Sequence, residues 1–264
     1  MQRYFIELSF DGSAYHGWQI QPHSPSVQEV LQRALSTLLG AEVAVTGAGR
    51  TDTGVHAHTM VAHFDWQEPL DAPQLAYRLN RILPRDIAVR SVRAVAESLH
   101  ARFSAVSRTY HYYIHQQKNP FLRTYSWEVH YDLDFPLMNR AAEYLLTVED
   151  FGAFCKAGSD AKTTLCTVTE ARWVKITPSA PPSFETEQPF GGSQVGEAWC
   201  FIITANRFLR NMVRAVVGTL IEVGRHRMTL DEFKDVVACG SRSAAGESVP
   251  AHGLFLWDVA YNEE

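Results

Sequence analysis

The chain has 264 residues, 46% of them apolar and 20% charged, the make-up of an ordinary globular protein with room for one large domain or two small ones. Its formal charge is −5 and its pI near 6.1, which argues against a uniformly basic nucleic-acid binder and leaves only local clusters to hold any polyanion. No stretch reads as a membrane span, because the best candidate, Met212 to Gly224, is interrupted by Arg214 and Glu222.

Met1-Gln2-Arg3 passes directly into Tyr4, Phe5 and Ile6 without a signal-peptide layout, and a cytoplasmic location is expected. Tyr4, Ile6, Leu8 and Phe10 alternate, which predicts a strand over 3–10 that turns at Asp11-Gly12. Ser26-x-x-Glu29 is a capping box opening a helix with Val30, Leu31, Ala34, Leu35 and Leu38 on its apolar side and Gly40 at its end. Short strands are expected near 43–46 and 59–65 around a Gly-rich loop, then a helix over 72–82 that stops before Pro84, then a strand over 87–93. The first segment therefore reads β-α-β-β-α-β.

A Tyr-rich strand near 107–116, a partner near 124–131, a helix near 136–146 and strands near 164–176 and 197–204 follow. Residues 177–196 hold Pro178, Pro181, Pro182, Pro189, Gly191 and Gly192 and read as a long mobile hairpin insertion. Helices near 207–223 and 229–238 lead to a closing strand at 254–261. Strands and helices recur in one order in both halves, with no repeat in the residues themselves. The expectation is an α+β protein of two related units, 1–105 and 106–264, sharing an extended antiparallel sheet flanked by helices. The cysteines Cys155, Cys166, Cys200 and Cys239 are scattered and form no Cys-x-x-Cys pair, so they read as small buried hydrophobes.

The densest chemical signal is Gly47-Ala48-Gly49-Arg50-Thr51-Asp52-Thr53-Gly54-Val55-His56-Ala57, between two strands. Its glycines let the backbone turn sharply and approach a ligand. Arg50 and Asp52 place a carboxylate beside a cation, an arrangement that favours ionisation and suits a nucleophile better than a general acid. A plain structural turn with a surface ion pair is the competing reading. A dinucleotide fingerprint fails, since the third glycine is missing at position 52 and no βαβ unit follows. Asp52-Thr53-Gly54 resembles an aspartic-protease tripeptide, but Arg50 opposes the shared proton that such a dyad needs. His56 and His58 should share one strand face with His63 on the other, so no metal site is expected and local hydrogen bonds should satisfy these rings.

At this point the run Gly47 to Ala57 resembles the active-site loop of the TruA family of tRNA pseudouridine synthases. Tyr15-x-Gly17-Trp18-Gln19-x-Gln21, Val27-Gln28, Leu79-Asn80-x-x-Leu83-Pro84-x-Asp86-Ile87 and Ala101-Arg102-Phe103-Ser104-Ala105 resemble other family segments in the same order. So do Arg108-x-Tyr110-x-Tyr112, Asp150-Phe151, Met212-Val213-Arg214-x-x-Val217-Gly218 and Pro250-Ala251-x-Gly253-Leu254, and the resemblance spans essentially the whole chain. Two departures are the long 177–196 tract and Thr163-Thr164-Leu165-Cys166, where many members carry an additional Arg.

The resemblance implies the pseudouridine synthase fold, built of ferredoxin-like units, a homodimer and no cofactor. It also implies isomerisation of uridine to pseudouridine on the 3′ side of the tRNA anticodon stem-loop, conventionally positions 38–40. Asp52 would be the nucleophile, at C1′ of the ribose or at C6 of the ring. Tyr110 would pack on the target base and assist removal of the C5 proton, with a core aromatic as the plain alternative. Arg214 would ion-pair with Asp52. Arg207, Arg210 and Arg214, spaced i, i+3, i+7, are expected on one helical face, the first two aimed at phosphates. Arg50 would enter the stem in place of the flipped base, offsetting a few kcal/mol of unstacking. A non-catalytic RNA-binding module and a hydrolase are the rival classes.

Overall fold

The computed structural model describes residues 1–156, 158, 162–176 and 197–262; the tract expected as a hairpin insertion, 177–196, lies outside them. The chain divides into two compact units, Met1–Thr109 with Phe255–Glu264, and Tyr110–Leu254.

The first unit runs β1 (Gln2–Phe10), α1 (Val27–Leu39), β2 (Thr46–Gly47), β3 (His56–Trp66), α2 (Ala72–Ile82) and β4 (Ile87–Val95), the order that the sequence predicts. Its sheet has the strand order β4-β1-β3-β9, with β2 beside β3 and β9 (Leu254–Tyr261) returning from the far end of the chain. Ser26 Oγ accepts the Glu29 amide at the start of α1, and Gly40 at φ +72 closes it. Asp71 caps α2 by accepting the Gln74 amide at 3.0 Å. Leu31 and Leu35 of α1, Leu79 of α2, and Ile6 and Leu8 of β1 are all fully buried. Residues 43–45 make no strand of their own. Gln32 accepts from the Val45 amide at 3.0 Å and Gln28 donates to the Val45 carbonyl at 2.7 Å, so α1 holds this segment through side chains.

The second unit continues β5 (Ala105–His115) from Tyr110 onward and adds β6 (Trp127–Glu128), α3 (Phe135–Tyr144), β7 (Val168–Ile176), β8 (Ala198–Ala205), α4 (Met212–Gly224) and α5 (Leu230–Cys239). Strands lie in the order β5-β8-β7, with β6 beside β5. The α+β class holds, although the sheet is mixed: β3 pairs with β9 and β5 with β6 in parallel. Thr229 and Glu232 form a reciprocal capping box on α5, and Gly240 at φ +65 ends it. α4 is buried on almost every side, and a Cβ at Gly218 would lie 1.8 Å from the Glu247 carbonyl oxygen, so the chain at 246–249 packs directly on helix backbone. Among the described residues no helix is long and apolar enough to cross a membrane.

Two further sequence expectations need correction. α4 starts at Met212, five residues later than the arginine spacing suggests, because Asn211 adopts φ +65, a left-handed conformation that a helix interior excludes. Of the four cysteines only Cys166 and Cys200 are buried, while Cys239 is exposed.

In the first unit Arg3 grips Asp65 through two hydrogen bonds, at 2.7 and 2.8 Å, and holds that carboxyl below the usual range. His63 beside them is 6% exposed, and its Nδ1 accepts the Ala101 amide at 3.2 Å. Burial above all, then the charges of Arg3 and His100, lower its pKa from 6.5 to about 4. A folded-state value below the unfolded one means that the unfolded chain binds the extra proton between these limits. Stability should therefore be complete above pH 6.5 and decline as the pH falls toward 4. Urea midpoints measured across that window should drop for the wild type and drop less for His63→Gln. Equal slopes would remove His63 from the acid response.

Candidate active site

The loop from Ala48 to Val55 joins β2 to β3 and carries the half-buried Asp52 and the exposed Arg50. At its start the Ala48 amide donates to the Val61 carbonyl at 2.7 Å. At its end the Val55 amide donates to the Asp52 carbonyl at 3.1 Å, closing a turn whose third residue, Gly54, has φ +77. Between these ends the loop rests on the segment Gly12–Trp18. Trp18 N–H donates to the Thr51 carbonyl at 3.4 Å, and Gly54 N–H to the Tyr15 carbonyl at 3.3 Å. Gly17 has φ +89, and a Cβ there would lie 2.2 Å from the Thr51 oxygen. A Cβ at Gly12 would lie 2.0 Å from the Val55 oxygen, and one at Gly47 would meet the Trp18 indole at 2.5 Å. The Tyr15 hydroxyl donates to Asp86 at 2.8 Å, and burial together with that carboxylate raises the phenol's pKa. The Tyr-x-Gly-Trp run is thus the bed beneath Asp52.

The histidines of β3 are engaged separately. His56 is buried, its Nδ1 accepts the Gly12 amide at 3.0 Å, and its ring stacks on Phe255 at 4.6 Å. His58 stacks on Trp257 at 4.1 Å, and its Nε2 lies 3.0 Å from Arg90 Nη2. The strict alternation expected along this strand does not hold: the register shifts opposite Leu8–Phe10, and Arg90 reaches both His58 and the adjacent Thr59. Among the described residues no group of three His, Cys, Asp or Glu side chains is placed to hold a metal ion.

Arg108, which sequence reasoning did not single out for a site role, ties the loop down from the other side. Its guanidinium donates to the carbonyls of Ala48 at 3.1 Å, Ala105 at 2.9 Å and Arg102. The only signal for it was its place in the Arg-x-Tyr-x-Tyr run, because a carbonyl-clamping arginine has no spacing rule of its own.

In the second unit Tyr110 is partly exposed, and its ring meets Phe208 edge-to-face at 4.9 Å. Tyr112 is fully buried and donates to the Pro250 carbonyl at 2.9 Å, while a Cβ at Gly253 would sit 2.9 Å from its ring. Tyr112 and Gly253 are therefore a packing pair. Arg214 lies on α4, and its Nε donates to the Val249 carbonyl at 2.7 Å while the Val249 amide donates back to the Arg214 carbonyl at 3.2 Å. Arg207 and Arg210 stand on the loop before α4, so the three arginines do not form one helical stripe. That loop is fixed in turn, since the Lys156 amide donates to the Arg210 carbonyl at 3.1 Å and Asn211 Nδ2 donates to Ser248 Oγ at 2.5 Å.

The family model for tRNA pseudouridine synthase matches residues 8–104 and 141–262. The tRNA pseudouridine synthase A of Bacteroides thetaiotaomicron is 49% identical over 264 residues, which cover 100% of this chain and 92% of the relative. That of Bacteroides fragilis is 48% identical over 265 residues, covering 100% and 98%. That of Bacillus licheniformis is 37% identical over 261 residues, covering 97% and 97%.

Gly17, under the Asp52 loop, and Gly49, within it, should respond differently to one added methyl group. Ala at position 17 must adopt a left-handed backbone and overlap a carbonyl, a combined cost of about 2–5 kcal/mol. A Cβ at Gly49 meets nothing within 4 Å. Thermal denaturation should show Gly17→Ala melting many degrees below the wild type and Gly49→Ala within about 2 °C of it. Equal Tm values for the two variants would mean that the 12–18 bed does not support the loop.

Proposed function

The chain belongs to the tRNA pseudouridine synthase family, an isomerase acting on uridine in tRNA, and from that we propose that Asp52 is its nucleophile and the 3′ side of the anticodon stem-loop its target. The observation that carries the proposal is the bed beneath Asp52: three glycine contacts and a row of backbone hydrogen bonds fix a half-buried carboxylate at the tip of a loop. A turn with a surface ion pair would need none of that support.

The chemistry asks for such a group. The C1′–N1 bond breaks, the detached uracil rotates, and a C1′–C5 bond forms; C5 loses its hydrogen as a proton and N1 gains one. Atoms and electrons balance within the substrate, so the reaction needs a nucleophile, a proton acceptor and a place for the base to turn. Asp52 serves as nucleophile at C1′ or at C6. Tyr110, its ring steadied by Phe208, packs on the uracil and assists removal of the C5 proton. Arg214 supplies the counter-charge to the carboxylate, with its guanidinium plane set by the Val249 carbonyl. Arg50 fills the stem where the uridine has left it. Arg207 and Arg210 take phosphates from a fixed loop rather than from a helix face, which suits a chain whose net charge is −5. A homodimer in the cytoplasm acting on positions 38, 39 or 40 completes the reading.

The decisive measurement is release of tritium from C5 of uracil. tRNA lacking the modification and labelled at C5 should lose label to water with this protein alone, from uridines of the anticodon arm. Asp52→Asn should abolish release while tRNA affinity stays within about threefold, since phosphate contacts carry affinity. Release by Asp52→Asn at the wild-type rate would remove Asp52 from the mechanism. Tight binding without release by the wild type would leave an RNA-binding module.

Local arginines in place of global charge also give a salt signature. Affinity should fall steeply with salt, and Arg210→Ala should flatten the log–log slope by about 0.7–0.9. An unaltered slope would take Arg210 off the phosphate backbone.

A further inference from the structure

Phe103 is the most exposed of the large apolar side chains among the described residues, 77% accessible. It stands on a turn that is anything but loose. All five backbone N–H groups from His100 to Ser104 are hydrogen-bonded: His100 to Ser104 Oγ at 2.9 Å, Ala101 to His63 at 3.2 Å, Arg102 and Phe103 to His100 Nδ1 at 3.1 and 3.2 Å, and Ser104 to the His100 carbonyl at 2.9 Å. The carbonyl of Ala101 accepts from the Tyr261 hydroxyl at 2.6 Å, and Arg3 holds the Leu99 carbonyl at 2.9 Å. His100 backs the Phe103 ring at 4.4 Å, and the Arg102 guanidinium lies 5.6 Å from its centroid. An isolated exposed apolar residue needs no explanation, but one offered at the tip of a fully bonded turn does.

We propose that Phe103, with Arg102, is a stacking platform for an unpaired nucleobase of the substrate RNA. An aromatic face beside a cation takes any base by stacking and its phosphate by charge, which is how single-stranded RNA is held without sequence readout. The charge around it agrees. Between residues 90 and 108 the chain carries Arg90, Arg93, Arg102 and Arg108 against one acid, Glu97, which pairs with the N-terminal amine at 3.3 Å. Tyr261, which anchors the turn, also lines a cavity of about 350 Å³ with Arg90 and Arg93 and with Glu7 and Asp258, Glu7 lying 3.4 Å from Arg90. A protein partner would ask for a contiguous apolar patch, whereas the neighbours of this ring are the Arg102 guanidinium and the His100 imidazole.

The platform is geared to the Asp52 loop. The guanidinium of Arg108 that holds the Arg102 and Ala105 carbonyls also holds Ala48 at the root of that loop, all within the first unit. A base stacked on Phe103 therefore sits at a fixed offset from Asp52. This inference rests on the RNA-modifying reading above and adds to it a contact at which the RNA is registered.

The test compares Phe103→Ala, Phe103→Leu and Phe103→Trp with the wild type in direct binding of unmodified tRNA, with tritium release and sedimentation read on the same preparations. Loss of one stacked base is worth about 1–3 kcal/mol, so Phe103→Ala should raise Kd roughly 5- to 150-fold. Phe103→Leu should do nearly the same, and Phe103→Trp should restore binding to within about threefold. The Tm of all three should match the wild type, because the side chain is exposed. Unchanged affinity in Phe103→Ala overturns the platform. Full rescue by Leu as well as Trp also overturns it, since apolar bulk would then suffice. A change in sedimentation with tRNA affinity intact reassigns Phe103 to a contact with a second copy of the chain. Tritium release by the wild type separates these outcomes from a failure of the isomerase reading: release with unaltered Phe103→Ala affinity sinks only the platform. Weakened Phe103→Ala binding without wild-type release sinks only the isomerase.

Discussion

The Thr51 carbonyl oxygen presses on an α-carbon that carries no side chain, and the position of Asp52 follows from that contact. Gly17 supplies the bare carbon and the left-handed turn, and the next amide, from Trp18, closes a hydrogen bond on the same oxygen. Trp18 then lies under Gly47, where a side chain of any size would strike the indole. Gly12 repeats the arrangement beneath Val55. Three backbone-to-backbone or ring-to-backbone approaches, each needing glycine, set the loop within narrow limits before any side chain of the loop itself is considered. In the role proposed for Asp52 such a bed matters, because a displacement near 1 Å of a reacting group costs on the order of a hundredfold in rate.

Much of the fold is legible in the sequence wherever local chemistry marks the ends of elements. Ser26 with Glu29, and Gly40, announce the two ends of α1, and the alternation of Tyr4, Ile6, Leu8 and Phe10 announces β1. Arg207, Arg210 and Arg214 mislead for a definable reason. A spacing of i, i+3, i+7 has meaning only inside a helix, and Asn211 breaks the helix through a left-handed backbone that its side chain, bonded to Ser248, supports from 37 positions away. The Asp52 loop is visible through its glycines. Its supports are not, because Gly17, Trp18 and Arg108 act on backbone carbonyls brought near only by the completed sheet. His63 shows the same limit: the register shift in β3 between it and His56 interrupts the parity argument that set the two on opposite faces.

An acidic protein that handles RNA must concentrate its cations, and this chain places them where backbone carbonyls fix their direction. Arg108 grips Ala48, Ala105 and Arg102, and Arg214 grips Val249. Arginine suits this use because its planar fork of donors can bond a carbonyl on one edge and present charge on another. Lysine, a point charge on a flexible stem, would bring the charge without the orientation. Of the basic residues named at the proposed site, all are arginine.

The parallel pairing of β9 with β3 has a consequence for synthesis. Phe255 stacks on His56, and Trp257 on His58, so the unit that carries Asp52 is finished by residues translated some two hundred positions after its own strand. A nascent chain can fold β1, α1, β2, α2 and β4 early, but β3 at His56–Ala57 stays without its parallel partner until β9 leaves the ribosome. The Asp52 loop of a half-made chain thus leads into a strand that still lacks its β9 partner. The ribosome works among tRNAs, and a modification enzyme whose first unit waits for β9 completes that unit only after the whole of Tyr110–Leu254 has been made.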